Sequence, residues 1–224
     1  MCDMIKYCFF DLDGTLTDSA EGITKCVAHA IYSLDGSIHD PKEFMSFIGP
    51  PLHDKFMEYF GVTSEQADFM LIKYRERFVE KGMYENSVYD GVYEMLEQLK
   101  SKGYILSLAT SKPECHSVTI LKHFSLFDYF DETVGSELDG SRISKIDVIK
   151  EALKRLEITD YSRVIMVGDR KHDICAAKEL GIKSIGVTYG FAPEGELEEA
   201  GADFIVGTPY EVAEIIEGLR NNEA

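Results

Sequence analysis

The sequence is short of positive charge. It has 23 lysines and arginines against 40 aspartates and glutamates among 224 residues, so its formal net charge is −17. Proteins that bind nucleic acid do so through basic surfaces, and this balance therefore argues against a nucleic-acid partner. A small phosphorylated substrate is still compatible with the charge, because it needs only a local cluster of cations and backbone amides.

Long apolar runs and clustered cysteines are also missing. No apolar stretch approaches the roughly 20 residues that a helix needs to cross a bilayer, so we expect no membrane association. The chain enters its first predicted strand without the basic segment and cleavage site of a secretion signal, which favours a cytoplasmic location. The cysteines contain no C-x-x-C pair and are odd in number, so they predict thiols rather than disulfides or a zinc site; they are Cys2, Cys8, Cys26, Cys115 and Cys175.

The apolar pattern that is present changes along the chain. Residues 18–85 have helical periodicity with short connections, and capping signals stand at Asp40 and Thr63. This segment is predicted to be an inserted four-helix bundle. The flanking segments, 1–17 and 86–224, alternate between strand and helix patterns, which is typical of a doubly wound parallel sheet of the Rossmann-like α/β class.

Individual elements of the α/β part can be placed by their periodicity and by their glycine stops. The predicted strands are Ile5–Phe10, Tyr104–Ala109, Arg163–Val167, Ser184–Val187 and Phe204–Val206. The predicted helices are Val92–Lys102, Glu114–His123, a helix capped by Ser144 that runs through Leu153, Asp173–Leu180 and Tyr210–Leu219.

Three of these strands end in polar residues. The polar residues are Asp11 and Asp13 after the first strand, Thr110 and Ser111 after the second, and Asp169 and Asp173 after the third. Ligands of open α/β sheets bind beyond the carboxyl ends of strands where the strand order reverses, so we expect these ends to converge. Clustered carboxylates hold a hard cation such as Mg²⁺, while hydroxyls and helix amino termini bind oxyanions. The combination indicates phosphoryl chemistry.

These residues resemble a known family. Asp-Leu-Asp-Gly-Thr at 11–15, Thr110, a lysine near position 145 and Gly-Asp-x-x-x-Asp at 168–173 are similar, in order, to the four motifs of the haloacid dehalogenase superfamily. The helical insert resembles the α-helical cap of that superfamily. Among its branches, the chain looks closest to phosphoglycolate phosphatase-like and bacterial 5′-nucleotidase-like members.

The resemblance implies a Mg²⁺-dependent phosphatase that acts through an aspartyl-phosphate. The substrate would be a small phosphorylated metabolite, such as phosphoglycolate, a nucleoside 5′-monophosphate or a sugar phosphate. Asp11 would be the nucleophile, and Asp13 would first protonate the leaving oxygen and then deprotonate water. Asp11, the backbone carbonyl of Asp13 and Asp169 would hold the metal ion.

The resemblance also implies how the transferring phosphoryl group is held. Thr110 would donate a hydrogen bond to it, and the amides of Leu12, Asp13 and Ser111 would assist. Lys145 would bridge the nucleophile and the phosphate oxygens, stabilising the transition state. Asp173 would position Lys145 or a metal-bound water.

Several alternatives stay open for these residues. Arg142 and Lys150 are basic neighbours of Lys145, which we prefer because it lies at a predicted helix start. Thr110 would alternatively be a helix cap near Pro113. Asp169 and Asp173 would alternatively be acids favoured by a helix amino terminus.

The insert is expected to decide the substrate. In caps of this type the loop between the second and third helices faces the active site, and here it is the apolar loop Gly49, Pro50, Pro51 and Leu52. A β-phosphoglucomutase-like phosphotransferase would have a basic residue at about Leu52, so this alternative is disfavoured. A non-catalytic binding or regulatory protein on the same fold is a second alternative. The sequence leaves the oligomeric state open.

Overall fold

The chain forms two compact units in a computed structural model, which describes residues 5–139 and 141–221. The inserted unit is Asp18–Ser87, and the α/β unit consists of Met1–Thr17 together with Val88–Ala224. The insertion thus begins shortly after the first strand.

Strands and helices alternate along the α/β unit, whereas the inserted unit is mostly helical. The strands are β1 (Tyr7–Phe10), β2 (Thr17–Asp18), β3 (Ser87–Val88), β4 (Ile105–Pro113), β5 (Glu132–Ser136), β6 (Val164–Gly168), β7 (Lys183–Val187) and β8 (Phe204–Val206). The α-helices are α1 (Ala20–Asp35), α2 (Leu52–Phe60), α3 (Ser64–Arg77), α4 (Val92–Ser101), α5 (Glu114–His123), α6 (Lys145–Arg155), α7 (Lys171–Leu180), α8 (Glu196–Ala200) and α9 (Pro209–Asn221). Short 3₁₀-helices span Pro41–Phe47, Phe127–Tyr129 and Tyr161–Arg163, and a π-helical turn spans Phe78–Gly82.

A six-stranded sheet in the order β5-β4-β1-β6-β7-β8 forms the centre of the α/β unit. Its strand pairs are parallel, and Phe10 of β1 lies opposite both Leu108 of β4 and Val167 of β6. The chain moves outward from β1 on one side through β4 and β5, and then on the other side through β6 to β8. The strand order therefore reverses beside β1, and the predicted Rossmann-like α/β class is confirmed.

Burial of both sheet faces explains why the central strands β1 and β6 are continuously apolar. Phe9 on β1 belongs to a buried cluster with Val148 and Ile149 of α6 and with Ala177 of α7. Helix α6 begins at Lys145 because the Ser144 hydroxyl accepts a hydrogen bond of 3.2 Å from the Asp147 amide. This cap fixes the point at which Lys145 leaves the loop and enters the helix.

Strand β5 and helix α8 of the α/β unit were not predicted, and strand β4 is longer than predicted. Strand β5 has the sequence Glu-Thr-Val-Gly-Ser, whose only large apolar residue is Val134, and it lies at the sheet edge. The five-residue helix α8 was also missed. Strand β4 extends four residues beyond Ala109 to Pro113, with an irregular register in this stretch.

The inserted unit contains the predicted succession of helical segments with one difference in type. The second predicted helix is a 3₁₀-helix, within which Phe44 has non-helical backbone angles. The capping signals are confirmed: Asp40 pairs with Glu43, and Thr63 with Gln66, each in a reciprocal capping box.

The remaining structural predictions concern cysteines and membrane spans. Cys8, Cys26, Cys115 and Cys175 form no disulfide, and Cys2 lies outside the described residues. Within the part of the chain that the structure describes, no helix combines the length and the apolar character needed to cross a membrane.

Candidate active site

A tight turn follows β1 and carries the first two acids. The amide of Asp11 donates to the Val167 carbonyl at 2.9 Å, which ties the end of β1 to β6. Gly14 closes the turn with a φ of 81°, a conformation that favours glycine. A Cβ atom at Gly14 would also lie only 2.0 Å from Oδ2 of Asp169. The absence of a side chain at Gly14 therefore lets the turn after β1 approach Asp169, which follows β6.

Lys145 lies between two acids of this cluster. Its Nζ atom is 2.7 Å from Asp11 Oδ1 and 2.8 Å from Asp173 Oδ1, and it donates to the Ala109 carbonyl at 3.0 Å. Burial by itself would lower the pKa of Lys145, but attraction by Asp11 and Asp173 outweighs burial and raises the pKa above its ordinary value. Lys145 is therefore a buried ammonium at neutral pH.

The two other basic candidates near Lys145 lie elsewhere. Arg142 forms ion pairs with Glu114 and Glu137, and Lys150 is exposed on α6. Lys145 is thus the basic residue of this group that the fold brings to the carboxylates.

The two carboxylate oxygens of Asp169 differ in their hydrogen bonding. Its Oδ2 atom accepts a hydrogen bond of 2.7 Å from the Phe191 amide, whereas its buried Oδ1 atom has no hydrogen-bond partner within residues 5–139 and 141–221. Burial raises the pKa of Asp169 well above its usual value, and repulsion by Asp173 and Asp11 adds to the rise. Such an oxygen is a suitable ligand for a cation.

The carboxylates together form a group that fits a divalent metal ion. Asp11, Asp169 and Asp173 each offer an oxygen, and these oxygens lie within 4.8 Å of one another. Three carboxylates face the single ammonium of Lys145, so this group of four side chains has excess negative charge. Oxygen donors in such a group suit hard cations such as Mg²⁺.

Asp173 is less suited to direct metal binding than its two neighbours, because both of its oxygens are engaged. Oδ1 contacts Lys145 at 2.8 Å, and Oδ2 accepts from the Arg170 amide at 3.1 Å. Burial raises the pKa of Asp173 to about 6, with attraction by Lys145 opposing the rise and repulsion by Asp11 adding to it. These contacts favour Asp11 and Asp169 as ligands and Asp173 as the residue that holds Lys145.

Thr110 lies buried near the end of β4, among the same group of strand ends. Its hydroxyl accepts a hydrogen bond of 3.3 Å from the Lys112 amide. Pro113, not Thr110, occupies the cap position of α5, so the capping alternative for Thr110 is wrong. The neighbouring Ser111 is exposed, and the side chain of Leu12 is buried.

Sequence reasoning missed two contributors to this site. Lys112 forms an ion pair of 2.9 Å with Asp13, and the loop after β7 supplies the Phe191 amide to Asp169. The sequence signal for this loop is Thr-Tyr-Gly, which directly follows the predicted strand Ser184–Val187. Because the carboxyl ends of parallel strands meet at one edge of the sheet, residues at this position are expected near the other strand ends. Lys112 also follows a predicted strand, next to Thr110 and Ser111, but that position alone does not indicate a contact with Asp13.

The predicted specificity loop belongs to the inserted unit. Gly49 has a φ of 101°, in the region that favours glycine. Pro51 immediately precedes α2, and Leu52 is its first residue. The sharp turn at Gly49 separates the 3₁₀-helix from α2.

Comparison with known proteins agrees with this geometry. Residues 8–187 match the haloacid dehalogenase-like hydrolase family. The chain is 44% identical over 188 residues to a 5′-nucleotidase of Pseudomonas aeruginosa, covering 84% of this chain and 85% of the relative. It is 37% identical over 182 residues to a tyrosine-protein kinase of Mycobacterium tuberculosis, covering 81% of this chain and 62% of that protein.

A solved structure extends the similarity to the fold. The crystal structure of a predicted phosphatase from Clostridium acetobutylicum superposes with a TM-score of 0.90 at 46% identity, covering 96% of this chain and 99% of the other. The chain therefore belongs to the haloacid dehalogenase-like hydrolase family. It is an enzyme of the phosphatase type, as the motifs predicted.

Proposed function

We propose that this enzyme is a Mg²⁺-dependent phosphatase that hydrolyses a small phosphorylated metabolite through an aspartyl-phosphate. The observation that carries the proposal is the position of Lys145, whose buried ammonium contacts Asp11 and Asp173 beside the unengaged oxygen of Asp169. This arrangement combines a nucleophilic carboxylate with a fixed positive charge and two further acids. Phosphoryl transfer through an aspartyl-phosphate uses these components at one place.

Asp11 and Asp13 have unequal roles in the proposed reaction. A carboxylate oxygen of Asp11 attacks phosphorus, and the bond from phosphorus to the leaving oxygen breaks as Asp13 donates its proton to that oxygen. Asp13 then takes a proton from the water that attacks the aspartyl-phosphate. Phosphate is released, and Asp11 returns as a carboxylate.

The other residues hold the phosphoryl group and its charge. Lys145 neutralises the negative charge that develops on the phosphoryl oxygens, and Asp173 keeps Lys145 in place. The Thr110 hydroxyl and the amides of Leu12, Asp13 and Ser111 donate hydrogen bonds to these oxygens. Fixed donors of this kind are more effective than water, because they need no reorganisation during the reaction.

The metal ion would be held by Asp11, Asp169 and the backbone carbonyl of Asp13. When bound, Mg²⁺ supplies positive charge that neutralises the carboxylates and orients the phosphate. The buried, unengaged Oδ1 of Asp169 supports this assignment, because an isolated buried carboxylate oxygen is unfavourable without a cation or a donor.

The substrate class rests on the relatives and on the insert. The similarity to a 5′-nucleotidase favours nucleoside 5′-monophosphates, and phosphoglycolate and sugar phosphates are the other candidates. The loop Gly49–Leu52 is proposed to contribute to the choice among them. Because this loop carries no charge, it favours a phosphatase over a phosphoglucomutase-type enzyme.

A phosphate-release screen tests the proposal. The purified protein is incubated with Mg²⁺ and with nucleoside 5′-monophosphates, phosphoglycolate, sugar phosphates and pyrophosphate, and both substrate loss and free phosphate are measured. We expect equal amounts of substrate consumed and phosphate released. Asp11→Asn should abolish turnover, whereas Asp128→Asn, a change at an exposed aspartate of a short 3₁₀-helix, should leave it unchanged.

Other outcomes would contradict the proposal in distinct ways. Substrate consumption without free phosphate would indicate a phosphotransferase. Transfer of labelled phosphate to a protein tyrosine would instead agree with the activity in the name of the mycobacterial relative. No turnover of any ester with Mg²⁺ present would favour a binding protein, and turnover by Asp11→Asn would exclude the aspartyl-phosphate.

A further inference from the structure

A second lysine lies at the candidate active site and has no role in the reaction described above. The Nζ atom of Lys112 is 2.9 Å from Oδ2 of Asp13, and the Lys112 side chain is only 7% exposed. Asp13 is the residue to which the proposed function assigns both proton transfers. The contact is therefore made to the carboxyl group that transfers a proton in both steps.

The backbone of Lys112 is itself fixed. Its amide donates to the Thr110 hydroxyl at 3.3 Å, and it lies where β4 departs from regular register between Ala109 and Pro113. Irregular strand ends of this kind redirect side chains, and they are frequent next to active sites. The ammonium is thus delivered from an anchored segment rather than from a mobile surface loop.

The pair differs from an ordinary surface salt bridge. Exposed pairs contribute little, because both partners are well solvated and flexible. The Lys112 side chain is nearly buried, so it has given up most of its solvation and rotamer freedom. The other oxygen of Asp13, Oδ1, is buried and has no hydrogen-bond partner among the residues that the structure describes. The ion pair with Lys112 therefore orients this carboxyl group.

We propose that Lys112 is a positioning residue that fixes the Asp13 carboxyl group for proton transfer. This inference rests on the proposed function, because it requires Asp13 to be the general acid and base. Lys112 does not itself exchange a proton with the substrate. Its removal would leave Asp13 able to rotate about its side-chain bonds, so proton donation to the leaving oxygen would be impaired most.

The leaving group provides the test. An alkyl leaving oxygen, as in phosphoglycolate or a nucleoside 5′-monophosphate, must be protonated as it departs, whereas p-nitrophenolate departs readily without a proton. For Lys112→Met we expect kcat/KM to fall by about 100-fold with the best alkyl ester, a size typical of general acid catalysis, and by much less with p-nitrophenyl phosphate. Lys112→Arg should recover part of the activity toward the alkyl ester.

Matched controls separate this effect from general damage. Lys154→Met removes a lysine whose side chain is 79% exposed in the same unit, and it should leave both substrates unaffected. Equal losses of Lys112→Met with both esters would overturn the proposal and indicate that Lys112 binds the phosphoryl group. No loss with either ester would overturn it as well.

A structural measurement keeps the two proposals distinguishable. Crystal structures of the wild type and of Lys112→Met are expected to show one orientation of the Asp13 carboxyl group in the former and a different or mixed orientation in the latter. An unchanged Asp13 would refute the positioning role, whatever the activity. If the wild type hydrolysed no ester, the proposed function would fail, while the Asp13 orientation would still decide whether Lys112 positions this carboxyl group.

Discussion

The ammonium of Lys145 contacts two buried carboxylates at nearly equal distances, 2.7 Å to Asp11 and 2.8 Å to Asp173. This lysine therefore serves the stability of the fold as well as the proposed chemistry. Burying two carboxylates without a cation would be strongly unfavourable, so the pairing explains how Asp11 and Asp173 coexist at one sheet edge. The arrangement also makes the site sensitive to changes in any one member.

Removal of the Lys145 charge should destabilise the protein. Lys145→Met leaves Asp11 and Asp173 buried without their shared cation, and breaking a buried pair in this way costs about 3–5 kcal/mol. The measurement is urea unfolding of the metal-free protein at pH 7.5. Lys150→Met, at an exposed position of the same helix, should change stability by about 0.5 kcal/mol or less.

A double variant sharpens this prediction. Adding Asp173→Asn to Lys145→Met removes one of the two buried carboxylates left without a cation, so part of the lost stability should return. If Lys145→Met were as stable as Lys150→Met, the buried ion pairs would contribute nothing to the fold. If the double variant were no more stable than Lys145→Met, repulsion between Asp11 and Asp173 would not be the cause of the stability lost in Lys145→Met.

Magnesium should stabilise the protein more at high pH than at low pH. Burial raises the pKa of Asp173 to about 6 and that of Asp169 well above its usual value, so the metal-free folded protein binds these protons more tightly than the unfolded chain does. This contribution to stability is present at low pH and is lost as the pH rises through about 6. At higher pH the carboxylates are ionised, and a cation relieves their repulsion.

The increase in melting temperature caused by saturating Mg²⁺ is the suitable measurement. We expect a larger increase at pH 8 than at pH 5, with a difference in stabilisation on the order of 2 kcal/mol for a shift of this size. Asp169→Asn should reduce the increase at both pH values, whereas Asp128→Asn should not. An increase that is independent of pH would show that the ionisation of Asp169 and Asp173 is not coupled to binding of the ion.

Gly190 is predicted to tolerate no side chain. A Cβ atom there would lie 2.3 Å from the Gly14 carbonyl oxygen and 2.4 Å from Cβ of Asp169. Gly190→Ala must therefore displace the turn after β1 or the Asp169 side chain, with an expected cost of about 1–3 kcal/mol. It should also weaken Mg²⁺ binding, measured by calorimetry, because it moves one of the proposed ligands.

Gly218→Ala is the matched control for this substitution. Among the described residues, a Cβ atom at Gly218 in α9 would meet no atom within 4 Å outside the backbone of its own helix, so alanine should stabilise the helix by about 0.5–1 kcal/mol. If both variants had the same stability and the same Mg²⁺ affinity, the close approach at Gly190 would have no energetic consequence.

The sequence predicted best those features that local chemistry determines. Asp11, Lys145 and Asp169 could be assigned to one site, because each follows a strong strand or helix-start signal and parallel strands end at one edge. Strand β5 could not be predicted, since pairing with β4 rather than its own apolar content stabilises it. The contact of Lys112 with Asp13 could not be predicted for a related reason. The irregular register of β4 that brings Lys112 to Asp13 depends on tertiary contacts.

The helical insert should depend on one contact between two glycines. A Cβ atom at Gly22 of α1 would lie 2.0 Å from the Gly82 carbonyl oxygen and 2.8 Å from that of Glu85, so the helix can pack against this segment only without a side chain. Because backbone atoms cannot yield as flexible side chains do, Gly22→Ala should force the two segments apart at a cost of about 2–3 kcal/mol. Urea unfolding measures the loss, and limited proteolysis should reveal new cleavage within residues 18–87. The same proteolysis of Gly218→Ala should match the wild type, and a wild-type pattern for Gly22→Ala would show that the insert relaxes around the added methyl group at little cost.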